Sequence, residues 1–269
     1  MRVDERKFSQ LTSPYDVRDY KIARVSTQEF PEEFVLDSVT VKDQGSTSSC
    51  VAHACSSVVE YHNQKQHNNK TVFSTEFIYG YRPLGYYVGE GMYLRQALKT
   101  LQKCGDVPLA DLKGNNECDV AMKNVESNIN ALKEKAYPHR ISSYVRLDTN
   151  DDIKSALMKY GYVVVSMPWH VNYKLKDGVY TYTGDAIRGY HAVLIYGWNK
   201  DGWLVHNSWS KSWGRGGKFI IPFNFSFNEM WAVTDDIVDG DIVKPADNNV
   251  FVRLFYKIIN FFNNLLKKK

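Results

Sequence analysis

The chain has 269 residues, 43% hydrophobic and 24% charged, which suffices for one large domain or two small ones and excludes collagen-like, coiled-coil and globally disordered chains. No run approaches the roughly 18–20 consecutive apolar residues of a membrane-spanning helix. The net charge of +4 belongs to the end of the chain: residues 241–269 hold six basic and two acidic residues, leaving 28 of each sign in the rest. That balance argues against nucleic-acid binding by the main fold.

Residues 1–30 open with MRVDERKFSQ, which is charged and lacks the apolar stretch of a secretory signal. With a turn signal at Pro14 and little helical periodicity, they read as an extended lead segment. From about 48 to 135 the pattern is helical. Val51, Ala54, Cys55 and Val58 follow helix spacing, and Ser74 ahead of Glu76 and Phe77 marks a second start near 75. Leu94, Ala97, Leu98 and Leu101 form a stripe closed by Gly105, and Val120, Val125, Ile129 and Leu132 form a third. Beyond about 136 a short helix over 151–160 starts at an Asn150-Asp151 cap and stops at Gly161. Strand-like runs follow at Tyr162–Met167, Val179–Tyr182, Ala192–Trp198, Trp203–His206, Lys218–Ile221 and Met230–Val233. Helices first and strands after predict an α+β fold in two lobes with a cleft between them. The end, Val250–Lys269, is amphipathic. Arg253, Lys257 and Lys267 lie on one face, with Phe251, Leu254, Phe255, Ile258, Phe262 and Leu266 on the other. It suits docking on a membrane surface, on a partner protein or on the chain's own body.

Cys50, Cys55, Cys104 and Cys118 are too few and too irregular for a disulfide scaffold. Cys55, Cys104 and Cys118 read as buried thiols, and a Cys104–Cys118 bridge is the less favoured alternative. Without C-x-x-C or H-E-x-x-H spacing no metal site or cofactor is expected. The bland expectation is a cytoplasmic, reduced protein, or one released without a secretory signal.

Two stretches carry chemistry. In Asp43-Gln44-Gly45-Ser46-Thr47-Ser48-Ser49-Cys50 a loop of small residues delivers a cysteine to a helix start. There the dipole and unpaired N–H groups favour a thiolate and can hold a developing oxyanion, with the Gln44 amide as a further donor. His191-Ala192-Val193 and Asn207-Ser208-Trp209 flank a hairpin turning at Asn199-Lys200-Asp201-Gly202. A symmetric turn leaves His191 and Asn207 about three residues out of step, so a bulge or another loop register is required to pair them. Such a pair, with imidazole as base and acid and amide as orienter, is what a thiol nucleophile needs.

Together these motifs, from about Pro31 to Thr234, resemble the papain-like cysteine proteases, and Phe30-Pro31-Glu32-Glu33-Phe34 is similar to the start of a mature enzyme of that family. The resemblance implies a helical lobe at about 31–135 and a β-barrel-like lobe at about 136–238, followed by a linker and helix over 239–269. It implies peptide or protein substrates cleaved through a thioester acyl-enzyme. Cys50 would be nucleophile, His191 general base and acid, Asn207 orienter, Gln44 oxyanion donor and Trp209 the shield of the His–Asn bond. Gly89 and Gly91, in Gly89-Glu90-Gly91-Met92, resemble the glycine-rich wall along which substrate backbone lies. Departures from the family pattern include Thr47, Val51, His53 and Ser210, which stand where the family usually has cysteine, tryptophan, an aromatic and glycine. They bear on the substrate pocket. Residues 1–30 are shorter than the family's helical pro-region and are expected to run near the cleft and partly block it. Two alternatives stay open: a papain-fold binding or structural module anchored through 250–269 in a virion, another assembly or a membrane, and a cell-wall peptide hydrolase or acyl transferase.

Overall fold

The computed structural model describes residues 6–22, 29–82 and 89–234 and the backbone of 242–243. The amphipathic helix expected over 250–269 lies outside the described residues, as does all of the 239–249 linker except that dipeptide. Among the described residues no helix is long and apolar enough to cross a membrane.

The lead segment is extended, with two-residue strands β1 (Gln10–Leu11) and β2 (Lys21–Ile22), and β3 (Phe34–Val35) follows. Helix α1 (Cys50–His67) is buried over most of its length, and so serves as the shared core of both lobes. It ends at Asn68, whose φ of 49° gives the left-handed cap, with Lys65 and His67 in the last turn facing the negative end of the dipole. Ser74 caps α2 (Thr75–Gly80), its hydroxyl accepting from the Phe77 N–H. Strand β4 (Met92–Tyr93) runs directly into α3 (Leu94–Cys104), which stops at Gly105. The glycine is required there: φ is 84°, and a Cβ would lie 2.0 Å from the Ala136 carbonyl oxygen. The third apolar stripe forms two helices, α4 (Cys118–Ser127) and α5 (Ile129–Ala136), because the chain kinks at Asn128, and Val120 is exposed.

The second half holds β5 (Ser143–Leu147), α6 (Asn150–Lys159), β6 (Val163–His170), β7 (Tyr173–Lys176), β8 (Val179–Tyr182), β9 (Ile187–Asn199), β10 (Gly202–His206), β11 (Lys218–Ile221), β12 (Glu229–Thr234) and β13 (Ile242–Val243). The cap of α6 is Thr149 rather than Asn150-Asp151. Its hydroxyl and the Asp152 carboxylate satisfy each other's backbone N–H in a capping box. The strands form one sheet in the order β13-β2-β5-β12-β6-β9-β10-β11-β8-β7, with β3 added to β9. Among the described residues its end strands, β13 and β7, do not pair, so the sheet forms no closed barrel.

Both faces of the sheet centre are covered. Val164, Leu194 and Trp231 pack with Val51, Val58 and Leu98 of the helical lobe. Val163, Val165, Val193 and Ile195 pack with Ile153 and Leu157 of α6 and with Trp169 and Trp203. This double cover explains why β6 and β9 read as continuous apolar runs instead of alternating ones. The cleft lies where the first face meets α1.

Candidate active site

Cys50 is the first residue of α1, and the N-terminal geometry matters more than the helix itself. Its sulfur is faced by the N–H groups of Cys50 and Val51 in that first turn, of Ala192 on β9, and of Ser9 in the lead segment. The thiol is fully buried.

His191 and Asn207 meet through a bulge. Leu204 pairs with Gly197, but Val205 pairs with Ile195, so Tyr196 is an extra residue in β9. Without that shift Asn207 would lie opposite Leu194, on the sheet face opposite to His191. With it, Asn207 comes level with Val193, two residues from His191 and on its face. The result is a 2.8 Å contact between His191 Nε2 and Asn207 Oδ1. The same oxygen accepts the Ser208 N–H at 2.8 Å, so it acts as acceptor and His191 Nε2 carries the proton. Nδ1 is left as the free lone pair, buried and without a partner among the described residues. Trp209 is fully buried and lies against the imidazole with ring centroids 4.8 Å apart, keeping water from the His–Asn bond.

Gln44 is held from both ends. Its Oε1 accepts from Ser208 Oγ (2.8 Å) and Trp209 Nε1 (3.2 Å), and its Nε2 donates to the Thr47 carbonyl at 2.9 Å. One amide hydrogen is left without an acceptor among the described residues. The backbone secures this: the Gln44 N–H donates to Ser208 O and the Ser210 N–H to Lys42 O. Thus the loop before Cys50 is zipped to the loop after Asn207. Lys42 itself is anchored in the interior by Glu60 (2.9 Å) and Ser56 Oγ (2.7 Å).

The lead segment passes over this constellation. Phe8 packs on Trp209 and Trp169, both with centroids at 5.7 Å, and on His191 at 6.0 Å. Arg6 reaches Asp43 (2.5 Å) and the Gly45 carbonyl (2.8 Å). Ser9 Oγ donates to Ser48 O, and the Ser9 carbonyl accepts the Met92 N–H, so β1 pairs in parallel with β4. Of the expected wall residues, Gly91 lies against the occupant: a Cβ there would be 2.7 Å from Ser9 O. Gly89 is instead a turn residue, with φ of 62° and open space where a Cβ would be. Further along, Asp19 pairs with Arg95 at 2.6 Å, both largely buried, which fastens the segment to α3. Nothing in the sequence pattern signals Arg6, Phe8 or Asp19 as cleft residues, because an extended segment has no apolar period to read.

Other histidines are structural. His53 Nδ1 contacts Ser49 O at 3.0 Å, one turn back on α1. His170 is buried in a stack on Tyr182, and His206 is buried behind Lys218 and Lys42. All four cysteines are free; Cys104 and Cys118 are half-buried and unbridged, whereas Cys55 is fully buried.

Burial dominates the electrostatics. It pushes the Cys50 thiol above its ordinary value, against the surrounding N–H groups. Burial also lowers His191 to about 4, with the Arg6 charge adding to it and the Asn207 bond opposing. His53, His62 and His206 are each lowered to about 4 by burial as well. A lowered histidine is neutral when folded and protonates once unfolded, so these four contribute stability above about pH 6.5 that is lost as pH falls towards 4. Asp106, raised to about 7 by burial, acts in the opposite sense over the same window, one group against four. The chain is therefore expected to lose stability in acid. Thermal unfolding should give a Tm at least ~10 °C lower at pH 4.5 than at pH 7; a flat profile would show that these rings are solvated.

Comparisons with known proteins agree with this geometry. The profile described as papain family cysteine protease matches residues 34–231. The chain belongs to the papain family. A cathepsin B-like cysteine proteinase 2 of Haemonchus contortus is 38% identical over 84 residues, 29% of this chain and 25% of that protein. The match thus spans about a quarter of the length of that curated relative. An uncharacterized peptidase C1-like protein of Acanthamoeba polyphaga mimivirus is 27% identical over 228 residues, covering 77% of this chain and 71% of the other. Among solved structures, xylellain, a cysteine protease from Xylella fastidiosa, superposes with a TM-score of 0.74 at 20% identity, over 87% of this chain and 97% of that one. That likeness establishes the two-lobed fold.

Proposed function

We propose that this papain-family chain is a thiol endopeptidase held closed by its own N-terminal segment. The observation that carries the chemistry is the His191–Asn207 pair, with a free Nδ1 on the residue before Ala192, whose N–H faces the Cys50 sulfur. In the reaction the Cys50 proton passes to His191 Nδ1 and the sulfur attacks the substrate carbonyl. Negative charge on that oxygen is met by the Cys50 N–H and the free Gln44 amide hydrogen. Collapse of the tetrahedral intermediate breaks the C–N bond while His191 gives its proton to the leaving amine, leaving a thioester on Cys50. Water, deprotonated by His191, then releases the acid and regenerates the thiol.

What supports closure is the lead segment's position: Ser9 and Phe8 lie on the two reacting groups, and both are buried beneath it. Removing solvent also favours neutral thiol and neutral imidazole over the reactive ion pair, so the segment opposes catalysis chemically as well as sterically. The amphipathic pattern of residues 250–269 supports a separate role in docking to a protein partner or membrane surface.

The test is to incubate reduced protein with a thiol-directed epoxide and map the label by mass spectrometry, alongside a pooled-peptide cleavage screen. Labelling at Cys50, slow in the full chain and fast once Phe8 is replaced, with cleavage following the label, supports the reading. An inert Cys50 in both chains would favour a binding module that keeps the fold.

A further inference from the structure

Beyond the catalytic groups, the wall of the cleft is held from behind by one side chain. Arg82 lies just past the end of α2, and its guanidinium spreads over four backbone carbonyls. Nε donates to Tyr79 O at 2.9 Å, Nη1 to Gly89 O (3.2 Å) and Gly91 O (3.1 Å), and Nη2 to Glu90 O at 2.7 Å. The guanidinium carbon lies over the Tyr79 ring, 4.5 Å from its centroid, and the Tyr79 hydroxyl donates to Glu90 O as well (3.0 Å). Tyr79 is fully buried in the helical-lobe core, so the cation is anchored to the interior. Arginine suits this place because its planar fork presents five N–H donors in fixed directions.

Holding those carbonyls fixes what the other side of the wall offers. In a trans peptide the N–H of one residue points opposite to the carbonyl of the residue before it. With the Gly89, Glu90 and Gly91 carbonyls turned to Arg82, the N–H groups of Glu90, Gly91 and Met92 point away from it. The last of them points into the cleft, where the Met92 N–H donates to the Ser9 carbonyl at 3.2 Å. Gly91 lacks the Cβ that would collide with that same carbonyl. The wall is also tied to the loop before Cys50, since Ser48 Oγ donates to Glu90 Oε2 at 2.8 Å. Lys7 shares that carboxylate at 2.7 Å, but the Ser48 bond and all the Arg82 bonds are made without the lead segment.

We propose that Arg82 is a positioning residue for peptide binding: by gathering the carbonyls of Gly89, Glu90 and Gly91 it turns the Met92 N–H outward as a preset donor to a substrate backbone carbonyl. This rests on the reading that substrate takes the place of the lead segment in the cleft. Without the guanidinium the Gly89 and Gly91 carbonyls lose this donor and Glu90 O keeps only the Tyr79 hydroxyl. The peptide planes are then free to turn, and an incoming chain must order them itself. A lysine keeps the charge but is a point donor that cannot bridge carbonyls in a fixed fork, so Arg82→Lys should restore little. A bond from Met92 to the substrate backbone is made in ground and transition states alike, so its loss raises KM and leaves kcat nearly unchanged.

The experiment compares two reagents at Cys50: iodoacetamide, which is too small to need the wall, and a peptidyl epoxide, whose backbone amides do. Both are applied to the Phe8→Ala chain with Arg82 intact and with Arg82→Met or Arg82→Lys, the second variant covering a failure of the first to fold. Epoxide labelling should slow at least ~10-fold in both variants, through weaker binding and not a lower saturating rate, with iodoacetamide changed less than about twofold. Equal slowing of both reagents would mean that Arg82 merely supports the fold, and unchanged epoxide labelling would mean that the wall presets itself; either overturns the proposal. If Phe8→Ala does not accelerate iodoacetamide, closure by the lead segment is wrong, and the same two reagents decide on Arg82 in the parent chain. If Cys50 resists both reagents in every chain, the protease reading fails and amide hydrogen exchange of the full chain decides. Exchange at Met92 roughly tenfold faster in Arg82→Lys, with the α3 amides unchanged, sustains Arg82 as the residue that sets the wall for a bound peptide; unchanged exchange at Met92 overturns it.

Discussion

Replacing Cys50 with alanine should lower kcat/KM for peptide hydrolysis by roughly 10⁴-fold or more while leaving the fold intact. The sulfur is the atom that forms the thioester, and no other thiol can substitute: Cys55, one turn on, is buried, and burial raises its pKa far above the ordinary thiol range. Asn207→Ala should cost less, roughly 100-fold, because Trp209 still packs on the imidazole while the proton on Nε2 loses its acceptor. Adding Asn207→Ala to Cys50→Ala should cost almost nothing further, since groups that act as a unit are not additive. Peptide turnover under reducing conditions, with circular dichroism to confirm folding, checks all three. Equal residual activity in the Cys50→Ala chain would remove Cys50 from the mechanism.

Phe8→Ala should raise the rate of Cys50 labelling in the full chain roughly tenfold, because a half-buried phenyl ring contributes about 1.5 kcal/mol to docking of the segment. The ring sits in a slot made by Trp169, Trp209 and His191, and its backbone lies where a side chain at Gly189 would collide. Phe8 also packs against the second core through Trp169 and Trp209, so its loss trims the edge of that core as well. A second readout separates displacement from general loosening. Uncovering the pair restores solvent to both groups, so the thiol pKa falls and the imidazole pKa rises, and the pH profile of labelling moves to lower pH as the rate rises. Lys174→Ala, an exposed change on β7, serves as a control that should alter neither. Faster labelling with an unchanged profile would point to partial unfolding instead.

How far the site could be read in advance differs from residue to residue. Cys50 behind its small-residue loop and His191 at a strand start stood out because nucleophile, base and orienter must come as particular residue types in local contexts that a sequence displays. The bulge requirement was also legible: counting back from the Asn199–Gly202 turn shows that His191 and Asn207 do not meet in a regular hairpin. Which residue bulges was not legible, because Tyr196 is as acceptable in a regular strand as in a bulged one. Breaks in periodicity were harder. The stripe through Val120 and Leu132 looked continuous, yet Asn128 splits it, since helix geometry constrains positions four apart and says little about a single kinked residue.

The composition and motifs of this chain by themselves determined its chemistry class: a thiol at a helix start, an imidazole and amide on a hairpin, helices before strands. These are local properties, set by backbone propensity and by residue types within a few positions of one another. Only the tertiary structure decided which residues of the lead segment lie in the cleft and what they touch, as with Gln10 and Glu229, which meet although they lie 219 positions apart. Such contacts come from strand register and from an extended segment held by scattered side chains. Neither leaves a periodic trace, because the partners are chosen by the surface they meet and not by their neighbours in the chain.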